Sequence, residues 1–166
     1  MAVANTKSST ISSLDGRPSA SINSFKHAGR LRISKDSAEV LAVDDDNSVY
    51  RMVRLPSSAS IKELNILNDT ITDGTDYDLG VYETPVNGGG VVDANLFSST
   101  ISMVGARTLP LNAIFEAGLD ITQLDKRLWE LLGLSEDPFR NYDICFTANT
   151  VGSVDGTLAL ESVWSQ

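Results

Sequence analysis

The chain has 166 residues, of which 42% are hydrophobic and 21% charged, and its formal net charge at pH 7 is −9. This length and composition predict one globular domain with its own core, and the single cysteine, Cys145, excludes an intrachain disulfide. No apolar run approaches the roughly 20 residues that cross a bilayer, and residues 1–10 lack the apolar stretch of a signal peptide, so neither membrane insertion nor secretion is expected.

Charge is divided unevenly along the chain. Residues 1–32 hold five lysines and arginines against Asp15 alone, which leaves −13 on the rest of the chain from the total of −9. A basic segment therefore precedes an acidic body. Because DNA affinity depends on Lys and Arg side chains that neutralise phosphates, the acidic body argues against nucleic acid as a partner.

Residues 1–28 are predicted to form an extended N-terminal arm, and residues 29–166 a β-sandwich domain. The arm has seven serines and no sustained hydrophobic period. It is either a disordered tail or a segment that orders against a partner. In the second case its partner-binding residues would be Lys7, Arg17, Ile22, Phe25, Lys26 and Arg30.

Strand patterns begin at Gly29. Leu31 and Ile33 alternate with polar residues, as in a half-buried strand. The segments A-E-V-L-A-V and V-Y-R-M-V-R-L follow, separated by an acidic loop at residues 44–47, and this spacing predicts a β-hairpin with a longer loop. The three aspartates of that loop are interpreted as solvated turn residues rather than as a cation site.

Residues 54–82 predict two apolar segments joined by a polar loop. The first, I-K-E-L-N-I-L, fits a strand only slightly better than a helix, since Ser60 and Glu63 resemble a helix capping box. The second alternates strictly, which places Tyr77, Leu79 and Val81 on one face of a strand. The two segments form either a hairpin or two sandwich strands linked by a longer loop.

The acidic loop at residues 69–78 was compared with an EF-hand. With Gly74 at the glycine position, Ile71 occupies a ligand position and Gly80 replaces the bidentate glutamate. The loop therefore fails the template, and the sequence predicts neither a metal site nor a cofactor.

Residues 122–132 carry the strongest helix signal. Thr122 and Asp125 form a capping pattern, and leucines recur along one face. Gly133 and Leu134 are placed to end the helix in a Schellman motif. Trp129 lies beside the leucine stripe and is predicted either to join the core or to face another subunit.

Alternating segments return after residue 140. They place Tyr142, Ile144 and Phe146 on one strand face and Leu158, Leu160 and Trp164 on another. Many short strands with polar loops and one helical excursion predict an all-β protein with minor α content, an antiparallel jelly-roll-like β-sandwich.

Catalytic candidates are few. His27, the only histidine, lies in the arm, where a nucleophile or base would not be held in position. Cys145 lies between Ile144 and Phe146 on a predicted strand and is interpreted as a buried structural thiol. The chain is therefore predicted not to be an enzyme.

Several segments carry a family resemblance. R-L-P-x-x-A-x-I from Arg54, then N-D, D-L-G-V-Y and V-V-D-A-N-L-F ending at Phe97, resemble a pattern in the capsid decoration, or cement, proteins of tailed bacteriophages. The resemblance covers about a quarter of the chain and supplies no catalytic residue. It implies a jelly-roll-like sandwich, which favours strand for the first segment of residues 54–82.

The resemblance also implies a function. A cement protein is a non-enzymatic virion component that binds the outside of the capsid and joins neighbouring shell subunits. Its partners would be the major capsid protein lattice and copies of itself, as a homodimer or homotrimer with Trp129 or Trp164 at the contact. It would be made in the host cytoplasm.

Two other functions remain open from the residues. A carbohydrate-binding β-sandwich, such as a fibre or receptor-binding module, would need an exposed aromatic platform, for which the candidates are Trp129, Trp164 and Tyr82. A hydrolytic sandwich enzyme would have to use His27.

Overall fold

The computed structural model describes residues 7–15, 30–114, 116 and 119–166. The eight strands are β1 (Leu31–Val40), β2 (Ser48–Pro56), β3 (Ser60–Asn68), β4 (Asp76–Glu83), β5 (Val91–Ile101), β6 (Arg107–Asn112), β7 (Asn141–Thr150) and β8 (Gly156–Ser165). The helices are α1 (Ser9–Asp15) and α2 (Leu128–Leu131), with short 3₁₀ helices at Pro85–Asn87 and Ile121–Gln123.

The strands form two antiparallel four-stranded sheets. The first sheet has the order β1-β8-β3-β6 and the second the order β2-β7-β4-β5. Only β4 and β5 are consecutive strands that lie side by side; each of the other connections crosses from one sheet to the other. This is the strand order of a jelly roll, so the predicted all-β, jelly-roll-like sandwich is confirmed.

The predicted hairpin between the strands now labelled β1 and β2 is wrong, because these strands lie in different sheets. The acidic loop between them is tied to the end of the sandwich instead. Asp155, from the β7–β8 loop, accepts a hydrogen bond from the backbone N–H of Ala42 at 2.7 Å. Residues 54–82 likewise form two sandwich strands linked by a longer loop, as one of the two interpretations held.

The core lies between the sheets and is built from alternating residues. Tyr77, Leu79 and Val81 of β4 are all 0% exposed, as their alternation predicts. The predicted inward sets of β7 and β8 are also buried: Tyr142, Ile144, Phe146, Leu158, Leu160 and Trp164.

Strand β1 differs from its neighbours because its apolar residues face outward. Leu31 and Ile33 are each 64% exposed. The opposite side of the strand carries Arg32, which lies 5.2 Å over the Trp164 ring, and Ser34, which accepts a 3.1 Å hydrogen bond from the indole N–H. The indole therefore takes polar partners from β1, and the apolar pair is left on the outer face of the first sheet.

The predicted helix over residues 122–132 is wrong. The structure has a 3₁₀ turn capped by Asp120 rather than Thr122, and Arg127 is extended, with φ −82° and ψ 162°. The backbone N–H groups of Leu128 and Trp129 donate to the carbonyls of Ala59 and Ser57, so the β2–β3 turn takes hydrogen bonds that would have continued a helix. Only α2 remains.

The predicted end of that helix is correct. Gly133 has φ +70°, and the N–H of Leu134 donates to the carbonyl of Trp129 at 3.1 Å, as in a Schellman motif. The α2 turn and its cap therefore lie against the β2–β3 turn at one end of the sandwich.

Strand β6 has no counterpart in the sequence analysis. It contains Pro110 and pairs only with β3, so it forms the edge of the first sheet. Proline lacks the N–H that a central strand needs, and an edge strand tolerates it.

The N-terminal segment is described only in part. Residues 9–15 form α1, which the prediction of an extended arm did not include, and Lys7 forms a 2.6 Å ion pair with Asp15. Residues 16–29, which hold most of the predicted arm, lie outside the described residues.

Glycine is required where β5 crosses β4. The pairing of these strands is irregular, since Leu79 lies opposite Ser98 and Val81 opposite Asp93. A Cβ added to Gly80 would lie 2.1 Å from the carbonyl oxygen of Asp93 and 2.2 Å from the carbonyl carbon of Ala94. The β5 backbone therefore passes directly over residue 80, which leaves no room for a side chain.

We expect Gly80→Ala to lower the free energy of unfolding by at least about 2 kcal/mol, because a methyl group there collides with backbone that cannot move without disturbing β5. Gly105→Ala is the matched control: nothing lies within 4 Å of an added Cβ, so its effect should stay within about 0.5 kcal/mol. Urea denaturation measures both. Equal stability of the two variants would contradict this account of the crossing.

Candidate functional site

The catalytic candidates of the sequence do not form a reactive site. Cys145 is fully buried, and burial raises the pKa of its thiol to about 12. A thiol in that environment stays protonated and unreactive, which confirms its interpretation as a structural residue. His27 lies outside the described residues.

The aspartates of the β1–β2 loop organise backbone rather than only facing solvent. Asp44 accepts hydrogen bonds from the N–H of Leu41 at 3.1 Å and the hydroxyl of Tyr50 at 2.8 Å, and these bonds lower its pKa. Asp46 accepts from the N–H of Val151 at 3.0 Å. The interpretation of all three as solvated residues is therefore corrected, with only Asp45 left exposed among them and without a hydrogen bond in the structure.

The second acidic loop is organised similarly. Asn149 donates to Asp76 at 3.2 Å and to Asp78 at 2.9 Å, and Asp73 accepts from the hydroxyl of Ser153. Within the ranges that the structure describes, no three His, Cys, Asp or Glu side chains are placed to hold a metal ion. These carboxylates fasten the loops of one end of the sandwich to each other.

The outer face of the second sheet is covered by its own side chains. The carboxylate of Asp143, 4% exposed, accepts from Arg54 Nε at 2.6 Å and from Arg51 Nη1 at 3.0 Å. Arg51 also donates to the carbonyls of Glu83 and Gly89 and lies 5.7 Å from the Tyr82 ring centre. A buried carboxylate with two guanidinium partners is satisfied, and this face therefore offers few unpaired groups to a ligand.

The aromatic residues predicted for a contact or a sugar platform are mostly buried. Trp164 is 7% exposed and Tyr82 is 6% exposed. Trp129 is partly exposed, but its indole nitrogen is buried and has no hydrogen-bond partner in the structure. Trp164 and Tyr82 thus present little surface to another molecule.

Phe139 is instead the exposed aromatic residue. Its side chain is 91% exposed, and its φ of +51° is a left-handed conformation that a bulky residue rarely adopts. One carboxylate oxygen of Asp137 accepts from the N–H of Phe139 at 2.9 Å and from the hydroxyl of Ser57, which is itself buried. The loop therefore holds Phe139 outward at a conformational cost of about 1–3 kcal/mol.

The sequence gave no signal for this residue. The segment D-P-F-R has no period that separates an exposed phenylalanine from a buried one. The left-handed conformation depends on Ser57, which is 80 residues from Asp137 in the chain. Only the tertiary structure brings the two together.

A groove crosses the outer face of the first sheet. It follows a row of small side chains in which Ala159 of β8 pairs with Ser37 of β1 on one side and with Leu67 of β3 on the other. Two adjoining hollows of about 440 and 460 Å³ share Leu67 and Ala159 as lining residues. Towards β1 the groove is bordered by Lys35, Asp36 and Glu161.

The predicted arm residues are only partly placed. Lys7 is paired with Asp15, and Arg30 is exposed immediately before β1. Arg17, Ile22, Phe25 and Lys26 lie outside the described residues. Within the described ranges, none of the helices has the length and apolar character to cross a membrane.

No protein-family model and no curated protein matches the chain. Three solved structures resemble it: a chain of the cyanophage Pam1 capsid asymmetric unit (TM-score 0.49, 12% identity, 82% of this chain and 85% of that one), a chain of the Ralstonia phage GP4 capsid (0.49, 14%, 83% and 85%), and a chain of the acid-stable capsid of Helicobacter pylori bacteriophage KHP30 (0.41, 14%, 82% and 87%). At such TM-scores and identities the likeness carries no argument about function.

We expect Asp137→Ala to lower the free energy of unfolding by about 1–3 kcal/mol, because it leaves the buried hydroxyl of Ser57 without its acceptor. Glu136→Ala is the control, since its side chain is exposed on the same loop and should be neutral. Chemical denaturation of both variants gives the comparison. If Asp137→Ala were as stable as Glu136→Ala, the loop would not depend on this carboxylate.

Alkaline pH should destabilise the fold. Burial raises the pKa of Tyr77 and of Cys145 to about 12, above their ordinary values of 10.0 and 9.0. Because both groups are kept neutral in the folded state, their contribution is fully present below pH 9 and is lost as the pH rises towards 12. Urea midpoints at pH 8 and pH 11 measure this, and an unchanged midpoint would contradict it.

Proposed function

We propose that this protein is a non-enzymatic virion structural protein that binds the outside of a bacteriophage capsid and cements neighbouring shell subunits. The observation that carries the proposal is the meeting of two parts of the decoration-protein pattern at Gly80. Gly80 is the glycine of D-L-G-V-Y, and Asp93 and Ala94, which pass over it, belong to V-V-D-A-N-L-F. The pattern therefore marks one specific crossing of strands, which supports a family resemblance over a chance match of apolar alternation.

The molecule's surfaces suit binding without chemistry. A cement protein works by adding buried area across joints between shell subunits, and no bond is made or broken. The exposed apolar residues on the outer face of the first sheet and the outward Phe139 supply such area. Since a lattice repeats the contact many times, a modest affinity per site still reinforces the particle.

The N-terminal segment is proposed to reach a neighbouring shell subunit. Its basic residues would be attracted to acidic shell surface, while Ile22 and Phe25 would bury about 1.5–3 kcal/mol each on full burial. Ordering the backbone costs about 1–2 kcal/mol per residue, so only part of the segment would become rigid.

The proposed partners are the major capsid protein lattice and further copies of this chain, as a dimer or trimer. Nucleic acid and membranes are not proposed as partners, because the body is acidic and the partner surfaces suggested above are protein surfaces. The proposed location is the exterior of the capsid.

Carbohydrate binding is the second candidate, because Phe139 is an exposed aromatic beside polar residues. Asn141 and Gln166 line a hollow of about 160 Å³ with it. However, Gln166 donates to Ser58 and Asp137 accepts from Ser57, so several of these polar groups are already used within the protein. A sugar site needs free donors and acceptors beside its aromatic, which places this candidate second.

The test is to add the full-length protein, and a variant lacking residues 1–27, to phage particles stripped of their decoration. We expect the full-length protein to saturate the particles and the shortened one, folded by circular dichroism, to bind much more weakly. Full-length binding should also weaken with added salt, because part of the attraction is electrostatic.

Failure of the full-length protein to bind would contradict the proposed function, and binding to a glycan array instead would favour carbohydrate recognition. Equal occupancy by the two proteins would retain the function and show that the attachment surface lies on the sandwich.

A further inference from the structure

We propose that copies of this chain associate head to tail, with Phe139 of one copy inserted into the groove over Ala159 of the next. The proposal goes beyond the proposed function and does not depend on it, because it concerns the purified chain in solution. It rests on a protruding apolar group and a matching hollow at two separate places on one molecule.

The protruding group is preorganised. The Asp137 and Ser57 hydrogen bonds fix the backbone of Phe139, and Arg140 continues the same network by donating its N–H to Ser57 Oγ at 3.3 Å. A rigid aromatic loses little entropy on binding, which makes it an effective interface anchor. An exposed phenylalanine in a strained conformation has no role within the monomer that its contacts explain.

The groove has the size and chemistry to receive it. An apolar cavity of about 150 Å³ accepts a benzene ring, and each of the two hollows over Leu67 and Ala159 is larger than that. The small side chains of Ser37 and Ala159 form the hollow, and Leu67 supplies an apolar wall. Ile33 and Val163 pair on the same outer face two residues away and extend its apolar surface.

The charges around the two surfaces are complementary. Arg140 and Glu136 lie beside Phe139, and Glu161 and Lys35 border the groove. Docking can therefore set the guanidinium against Glu161 and Glu136 against Lys35. Rim pairs of this kind add little affinity but favour one orientation.

The contact joins two different surfaces, so it is heterologous. A heterologous contact forms a closed ring or an open chain rather than a two-fold dimer. Of the dimer and trimer left open above, this contact selects a ring of three or more copies.

The experiment is analytical ultracentrifugation of the full chain and of two variants. Phe139→Ser removes the protruding group, and Ala159→Arg fills the groove with a side chain that faces solvent, so neither should unfold the protein. We expect wild type to associate and each variant to weaken self-association at least tenfold in Kd. Val86→Ser is the control, because Val86 is also 91% exposed but lies on the β4–β5 loop, and it should associate as wild type does.

The decisive sample is a mixture of the two variants in equal amounts. Phe139→Ser retains an intact groove and Ala159→Arg retains an intact Phe139, so the mixture should form 1:1 dimers although each variant alone does not associate. Ser37→Arg, on the exposed edge of the same groove, replaces Ala159→Arg if that variant melts early.

Three results would overturn the proposal: a strictly monomeric wild type, a Phe139→Ser variant that still associates as wild type does, or a mixture that stays monomeric. The last result, with both single variants folded, would indicate a two-fold contact in which Phe139 meets Phe139.

Discussion

The passage of the β5 backbone over Gly80 is the constraint on which the surface of this molecule depends. Together with the guanidinium groups held by Asp143, it covers the outer face of the second sheet, where Cys145 and Asp143 are buried although they point away from the core. The first sheet has no such cover among the described residues. One face of the sandwich is therefore closed by its own chain, and the other is left with apolar side chains and a groove.

The sequence predicts the strands well, because period-two alternation records which residues face the core. Tyr77, Leu79 and Val81 show this, since local pattern and burial agree at each position. Pairing is harder to predict. The loop after Val40 has the length of a hairpin connection, but it joins two sheets because Asp155, more than 100 residues away, fixes its path.

The largest errors occur where a distant segment competes with a local preference. The leucine stripe after Thr122 is a good helix pattern, yet the N–H groups of Leu128 and Trp129 bond to the β2–β3 turn. Likewise, Leu31 and Ile33 alternate correctly but face solvent because Trp164 draws Arg32 and Ser34 inward. Phe139 could not be found at all, since its exposure depends on the buried hydroxyl of Ser57. The binding surfaces are thus products of long-range contacts.

The central claim is that this chain functions through contacts made by the open sheet face and the loop of Phe139, while the closed sheet face makes none. A cryo-electron microscopy map of particles that carry the protein tests this directly. The account predicts that density from neighbouring subunits covers the groove over Ala159 and surrounds Phe139, and that the side chains of Arg51 and Arg54 face solvent. A map in which the neighbours contact the Arg51–Arg54 face and leave the groove empty would contradict it.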